Sequence, residues 1–125
     1  MNDQTAVPQG DFLRGVFDRA EMMENFAGDA ELFVQIAEIF IDDVPLQLAA
    51  MQAAQDSGNL ETLRAAAHKL KGSVATFAAR AALTAAKALE QACKDADAGR
   101  VPALAAAVQT ETARLTAALR TELGR

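Results

Sequence analysis

The segment AHKLKGSVATFAA, at positions 67–79, combines a histidine, a lysine and a glycine at helical spacing. His68 is the single histidine of the chain, Lys71 follows it by three residues and Gly72 by four. Residues three and four apart lie on one face of a helix, so both stand beside the imidazole. An imidazole is a competent nucleophile at neutral pH because its unperturbed pKa is about 6.5. This set is typical of a histidine that attacks a large anionic partner, with a cation within reach.

Gly72 is the unexpected member of this set. A glycine inside a helix costs about 1 kcal/mol relative to alanine, and alanine is abundant in the rest of the chain. A glycine at this position leaves a gap beside the imidazole. The residue types alone leave two alternatives open, namely an ordinary surface or boundary histidine and a glycine that is a tolerated defect or a site of close helix contact.

The helix around His68 has a core seam of apolar residues at intervals of four and three, formed by Leu63, Ala67, Leu70, Val74 and Phe77. At 100° per residue, His68 points about 140° away from that seam and Gly72 about 180° away. Arg64, Lys71 and Ala75 also project away from the seam, at about 80° to 120°. These five residues therefore share a face that does not point at the core.

Two predicted helices precede this one. Residues 1–10 have the composition of a flexible tail, and a short first helix is predicted over residues 12–26. Asp29 is a suitable N-cap for a long second helix, which ends before Gly58. The apolar pattern resumes in phase after Pro45, so we expect a kink there rather than an end. The stripe predicted to be buried consists of Leu32, Ile36, Ile39, Phe40, Val44, Leu48 and Met51.

The histidine helix begins after the N-cap Asn59, and Pro102 occupies the first turn of the last helix. The fourth helix, with the stripe Leu83, Ala86, Leu89 and Cys93, closes at residues 98–99. No turn residue separates the third and fourth helices. If residues 60–98 formed a single helix, a domain of this size could not easily pack against both of its sides. We therefore expect a break near residues 78–80.

No strand pattern occurs in the chain. The sequence therefore predicts an all-α protein, an antiparallel four-helix bundle with up-down-up-down order and an additional short N-terminal helix. One domain is expected over residues 11–125.

The composition limits the class of protein. The chain has 125 residues, of which 51% are hydrophobic and 23% are charged, as in a globular domain. The formal net charge of -5 argues against nucleic-acid binding, and no apolar run approaches the roughly 18 residues of a membrane span. One cysteine and one histidine argue against a zinc site. No signal peptide is visible, and a cytoplasmic protein is expected.

The motif HKLKG and its flanking helices resemble the histidine-containing phosphotransfer (HPt) domains of multistep phosphorelays, whose motif is HxLKG. The likeness extends in register from GDAELFVQIAEIF to ALEQACKDA, over roughly residues 17–100. It implies that His68 accepts a phosphoryl group from the aspartyl phosphate of one receiver domain and passes it to an aspartate of another. It also implies that Lys71 lies near the phosphoryl oxygens and that Gly72 lets the receiver approach. Ala78 departs from the family, in which a glycine is common at this position.

The resemblance also implies partners and an absence of cofactors. The expected partners are response-regulator receiver domains, with a hybrid sensor kinase as a further candidate, and the chain is expected to be a monomer. It should need no cofactor or metal of its own, because the receiver domain brings the divalent metal. The chain has no GxSxG motif and no glycine-rich phosphate loop. We therefore predict a phosphoryl carrier and not an enzyme; the alternative is a non-catalytic helical adaptor that docks an acidic partner through a basic face.

Glu90 is the predicted partner of the second imidazole nitrogen. If the third and fourth helices are antiparallel and their turn is centred near residue 79, positions 68 and 90 lie at the same height. The Glu90 carboxylate could then accept a hydrogen bond from Nδ1–H of His68, which would fix the tautomer and leave Nε2 free to attack. The alternative is a solvated helix charge that pairs with Lys87 or Lys94.

A basic patch is predicted around His68 on a chain that is acidic overall, formed by Arg64, Lys69, Lys71, Lys87 and Lys94. Apart from Lys71, these residues and Ala75 form the surface expected to meet the partner. Receiver pockets in this family's partners are acidic, so such a patch would speed encounter. The alternative is a scatter of solubilising charges.

Overall fold

The computed structural model describes residues 16–125, a range that contains five α-helices and no strand. The helices are α1 (Arg19–Asn25), α2 (Ala30–Asp56), α3 (Leu60–Thr76), α4 (Arg80–Lys94) and α5 (Val101–Glu122), and a 3-10 turn, Ala98–Arg100, precedes α5. The predicted all-α class is confirmed. The predicted tail at residues 1–10 and the beginning of the predicted first helix lie outside the described residues.

Helices α2 to α5 form a helical bundle around one core. α3 packs against α2 and α4, and α5 packs against α4 and α2, so each long helix has two neighbours. The closest pairing is that of α3 with α4. The buried side of α4 is rich in alanine, with Ala82, Ala85, Ala86 and Ala92, and such small side chains let two helix backbones approach. The predicted helical bundle is confirmed, whereas the up-down-up-down order of the four helices stays a prediction.

The predicted core seam of α3 is buried throughout. Leu63, Ala67, Leu70 and Val74 are fully buried, and Phe77, just after the helix, is 1% exposed. The ring of Phe77 contacts three other aromatic rings, with centroid distances of 5.2 to 6.3 Å, those of Phe26, Phe33 and Phe40. This cluster fixes the rotation of α3 about its own axis and so turns the opposite face, with His68, toward solvent.

The predicted stripe of α2 is wrong at two positions, because Leu32 and Ile39 are 40% and 62% exposed. The buried residues of α2 are Phe33, Ala37, Phe40, Ile41, Val44, Gln47, Met51 and Ala54. The sequence contains two apolar seams that differ by one position, and the aromatic cluster selects the seam with Phe33 and Phe40. The helix runs through Pro45 without ending, as predicted.

The break between α3 and α4 lies at residues 77–79, where the sequence predicts it. Ala78 has a φ of +55°. The N–H of Ala78 donates to the Ala75 carbonyl at 3.0 Å, and the N–H of Ala79 donates to the Val74 carbonyl at 3.3 Å. This is a Schellman ending, in which glycine is the usual residue at the left-handed position. Ala78 thus adopts the left-handed conformation that glycine tolerates best.

Two predicted helix boundaries are wrong. The predicted first helix is interrupted at Phe17 and Asp18, because Asp18 is the N-cap of α1 and its Oδ1 accepts the N–H of Glu21. The predicted end of the fourth helix, at residues 98–99, comes too late. α4 already ends at Lys94, since Ala96 takes a φ of +54°. The predicted N-caps Asp29 and Asn59 both accept a backbone N–H of their helix.

Candidate functional site

His68 lies on the outward face of α3, and 62% of its side chain is exposed. Its Nδ1 is 2.9 Å from Oε2 of Glu90, which belongs to α4. Residues 68 and 90 are equally far from residue 79, the last residue of the α3–α4 turn. The contact places the imidazole of α3 and the carboxylate of α4 at the same height, as the predicted turn centred near residue 79 requires.

Glu90 is the buried charged group of the site, with 4% of its surface exposed. Its Oε1 is 2.8 Å from Nζ of Lys71, and its Oε2 is 3.7 Å from Nζ of Lys94. The hydrogen bond from Lys71 and that from His68 lower the pKa of Glu90 to about 2, against an opposing effect of burial. Glu90 is therefore ionised at neutral pH.

The charge of Glu90 determines which imidazole nitrogen carries the proton. An ionised carboxylate has no hydrogen to give, so Nδ1 of His68 must donate in their contact. In a neutral imidazole the other nitrogen, Nε2, then has a free lone pair. Because the side chain of His68 is largely exposed, this lone pair is accessible to a partner.

The space beside the imidazole is open at Gly72. A Cβ atom added to Gly72 would meet no heavy atom within 4 Å apart from its own helix backbone and chain neighbours. Within residues 16–125, Gly72 is therefore not a site of close helix contact, and packing among these residues does not require a glycine there. Ala75, one turn from Gly72 along α3, is also exposed, and its small side chain leaves this face open to a partner.

The cations around His68 differ in their partners. Arg64 pairs with Glu61 of its own helix, at 2.5 Å, whereas Lys71 and Lys94 converge on Glu90. Two more exposed cations, Lys69 on α3 and Lys87 on α4, have no ion-pair partner in the described part of the chain. Five cations therefore stand near three carboxylates, Glu61, Glu90 and, in the groove that Lys69 lines, Asp43. This face carries an excess of positive charge.

Sequence periodicity missed an apolar flank of this face, because it assigned Ile39 to the core. Ile39 and Leu46 of α2 are 62% and 70% exposed. The only available signal was the second apolar seam of α2, which is offset by one position from the buried seam.

Residues 16–125 contain neither a candidate metal site nor a reactive thiol. Within this range, no group of three or more His, Cys, Asp or Glu side chains is placed to hold a metal ion. Cys93 is 7% exposed, and burial raises the pKa of its thiol. It therefore belongs to the core, as its position on the apolar stripe of α4 predicts.

Comparison with known families shows to which family the chain belongs. The family model described as Hpt domain matches residues 35–124. The chain belongs to the Hpt family. The match covers most of α2 and all of α3, α4 and α5, and so includes the whole face around His68. Hpt domains are phosphocarrier modules rather than catalytic enzymes.

The Hpt fold also appears in a solved structure, the crystal structure of histidine-containing phosphotransfer protein B (HptB) from Pseudomonas aeruginosa PAO1. It matches with a TM-score of 0.77 and 24% sequence identity, over 86% of this chain and 93% of that chain. This likeness shows that the two proteins share a fold. No curated protein matches the chain. Within residues 16–125, this Hpt domain has no helix long and apolar enough to cross a membrane.

Proposed function

We propose that His68 is the phosphorylated residue of this Hpt domain, which accepts a phosphoryl group from the aspartyl phosphate of one receiver domain and donates it to an aspartate of another. One observation carries the proposal. The single histidine of the chain is exposed and holds an ionised, buried carboxylate on Nδ1, which leaves Nε2 as the nucleophile.

The transfer step needs one bond to form and one to break. The lone pair of Nε2 attacks phosphorus, and the bond between phosphorus and the receiver's aspartate oxygen breaks, with its electron pair returning to that carboxylate. The imidazole gains positive charge because Nδ1 keeps its proton. The ionised Glu90 balances that charge across the 2.9 Å contact. In the reverse direction the same atoms return the phosphoryl group to an aspartate.

Lys71 and Gly72 support this step in different ways. Phosphoryl transfer depends mainly on positioning and on neutralisation of the equatorial oxygens. Lys71, 28% exposed and bound to Glu90, lies on the turn of α3 next to His68 and supplies a positive charge to those oxygens. Gly72 leaves the approach to the ring free, and the open space around it is consistent with this role.

The receiver supplies the remaining groups. In this proposal it brings the reacting aspartate and the divalent metal, and this chain uses no cofactor or metal of its own. Arg64, Lys69, Ala75, Lys87 and Lys94 form the surface that meets it. We further propose that the chain acts as a cytoplasmic monomer, with receiver domains and a hybrid sensor kinase as its partners.

The experiment that tests the proposal is phosphotransfer profiling. The chain is incubated with each receiver domain of the source organism, phosphorylated with radiolabelled phosphate. Rapid appearance of label on the chain for one or a few receivers is the expected result. Binding to a receiver without uptake of label would instead indicate the adaptor function.

A further inference from the structure

The turn between α3 and α4 lacks the residue types that usually fix such a turn. Residues 77–79 are a phenylalanine and two alanines, and Ala78 has a φ of +55°, which is unfavourable for a residue with a Cβ atom. α4 then begins at Arg80 after Ala79, whose side chain cannot cap a helix, and its first turn contains no acidic residue. The local sequence therefore does not determine where α3 ends and α4 begins.

Helix α1 supplies hydrogen bonds that hold this turn. The backbone N–H of Asp18, the N-cap of α1, donates to the carbonyl of Ala78 at 3.0 Å. The Nδ2 of Asn25, the last residue of α1, donates to the carbonyl of Thr76 at 3.1 Å. Thr76 ends α3, and the last carbonyl groups of a helix have no partner within that helix. Both ends of α1 are therefore bonded to the end of α3.

The beginning of α4 is also attached to α1. The guanidinium of Arg80 pairs with Glu21 and lies 3.7 Å from Oδ2 of Asp18. A cation at the start of a helix is unfavourable because of the helix dipole, and these two carboxylates compensate for it. The ring of Phe26, the C-cap of α1, packs against the ring of Phe77 in the turn, with a centroid distance of 5.9 Å. α1 therefore contacts both sides of the turn.

The position of this turn decides whether His68 meets Glu90. The two residues are equally far from residue 79 along the chain, and Nδ1 of His68 is 2.9 Å from Oε2 of Glu90. Each residue of a helix adds a rotation of about 100°. A turn shifted by one residue would therefore rotate Glu90 away from the imidazole, or would expose part of the apolar stripe of α4.

We propose that α1 holds the α3–α4 turn in the register that pairs His68 with Glu90, and that Asn25 and Arg80 are its positioning residues. The inference rests on the proposed function, in which the hydrogen bond to Glu90 leaves Nε2 as the nucleophile. Asn25 and Arg80 bond at the turn, so they act on the imidazole through the position of α4. We call the hydrogen bond of Asn25 and the ion pairs of Arg80 the turn contacts.

The test removes the turn contacts from the full chain with the double variant Asn25→Ala/Arg80→Gln. Arg19→Gln is the matched control, because it removes an ion pair of α1 that leads to Glu122 of α5 and not to the turn. The nitrogen NMR spectrum of His68 at alkaline pH, where the ring is neutral, shows which ring nitrogen carries the proton. Each protein is also treated with phosphoramidate. In that reaction a bond from Nε2 to phosphorus forms, the P–N bond of the donor breaks, and ammonia leaves.

The wild type and Arg19→Gln should hold the proton on Nδ1 of His68. In the double variant, the proton should be shared with Nε2, because the carboxylate no longer fixes the tautomer. Phosphorylation by phosphoramidate should slow about tenfold, since both the tautomer and the orientation of the ring are lost. A role of α1 in stability alone would lower the free energy of unfolding without moving the proton.

A second background keeps the test decisive if the double variant is partly unfolded. Ala78→Gly gives the turn a residue that tolerates a positive φ, so the turn depends less on α1. Adding Asn25→Ala/Arg80→Gln to Ala78→Gly should leave the tautomer and the phosphoramidate rate close to those of Ala78→Gly alone. The proposal is overturned by an equal loss in both backgrounds, by an equal loss in Arg19→Gln, or by a double variant that keeps the proton on Nδ1.

The failure of the proposed function gives a different result. In that case the wild type takes up no phosphate from any phosphorylated receiver, whereas the tautomer of His68 still responds to removal of the turn contacts. Normal transfer by the wild type, together with an unchanged tautomer in the double variant, would remove the positioning proposal alone.

Discussion

Most of the electrostatics of the site depends on one buried side chain, the carboxylate of Glu90. It accepts a hydrogen bond from Nδ1 of His68 and another from Lys71, and Lys94 lies 3.7 Å away. Removing one partner of a buried hydrogen-bonded charge leaves the remaining groups uncompensated. Glu90 therefore couples the orientation of the imidazole to the position of the nearby lysines.

The low pKa of Glu90 predicts a pH-dependent contribution to stability. Lys71, followed by His68, lowers this pKa from 4.5 to about 2, so the unfolded chain binds a proton more readily than the folded one. The contribution is complete above pH 4.5 and is lost as the pH falls toward 2. The free energy of unfolding of the wild type, relative to Glu90→Gln, should therefore decrease over this range in urea titrations.

The control for this prediction is Glu31→Gln, which changes an exposed glutamate of α2. Subtracting its effect at each pH corrects for the general effect of removing one carboxylate. A difference between wild type and Glu90→Gln that stays constant from pH 6 to pH 2 would refute the assigned ion pairs.

Gly72 is predicted to serve access to His68 and not folding. Its Cβ position is empty, so Gly72→Ala should raise the free energy of unfolding by up to about 1 kcal/mol. Gly72→Gln should keep the fold but slow transfer from a receiver strongly, because the long side chain covers the approach to the ring. Unfolding curves and transfer rates test the two parts separately.

Ala113→Gln provides the matched control, since Ala113 is an exposed helical alanine of α5. It should change neither transfer nor stability appreciably. Transfer at the wild-type rate in Gly72→Gln would contradict the access role.

Each of the five helices α1 to α5 is followed by a residue with a positive φ. α2 and α5 end with Gly58 and Gly124 at positive φ, whereas α1, α3 and α4 have Ala27, Ala78 and Ala96 at the equivalent positions. An alanine in the left-handed region costs roughly 1–2 kcal/mol, which glycine avoids. Three of the five helices in residues 16–125 therefore end with an alanine in a backbone conformation that alanine disfavours.

Ala96→Gly is predicted to stabilise the domain. Ala96 is exposed and has a φ of +54°, so the substitution relieves backbone strain without loss of packing. After the greater flexibility of glycine in the unfolded chain is subtracted, a gain of about 0.5–1 kcal/mol is expected in urea unfolding. Ala106→Gly, at an exposed position inside α5, should instead lose about 1 kcal/mol; the same sign for both would contradict this account.

These elements also show what the sequence could predict. Helix beginnings were predictable because Asp29 and Asn59 are residue types with a capping function. The end of α4 was not predictable, because alanine rarely adopts a positive φ and Ala96 therefore gives no sign of a helix end. The face of α2 was mispredicted at Ile39 because two apolar seams run side by side, and only tertiary contact with the aromatic cluster selects one of them.

The candidate site was more predictable than the helix boundaries. The pairing of His68 with Glu90 depends on the centre of one turn and on the antiparallel packing of two helices, and both followed from the need to cover their apolar stripes. The ion pair between Lys71 and Glu90 was not predicted, because it depends on side-chain conformations that spacing does not determine.

At the scale of the whole molecule, the charge distribution is uneven. The chain has a formal net charge of -5, yet the surface around His68 carries an excess of positive charge. Lys69 and Lys87, which have no ion-pair partner among residues 16–125, lie on two different helices and flank the imidazole. An acidic partner is therefore attracted to this face and repelled by the rest of the molecule.

This asymmetry predicts that association with an acidic receiver is steered by charge. The association rate should fall about tenfold or more as salt rises from low to high ionic strength, because screening shortens the range of the field. Lys69→Gln with Lys87→Gln should flatten that dependence in stopped-flow measurements. Arg120→Gln, which removes an exposed cation of α5, is the control and should leave the slope nearly unchanged; a wild-type rate independent of salt would exclude steering.

The central claim is that His68 is the phosphorylated residue, and the most direct measurement is phosphoryl uptake by His68→Gln from a phosphorylated receiver that labels the wild type. His68 is exposed, so the variant should stay folded, as circular dichroism can verify. We predict that the wild type forms an adduct labile to acid and stable to base, as expected of a phosphoramidate, and that His68→Gln takes up no label. Uptake of label by folded His68→Gln would contradict the account.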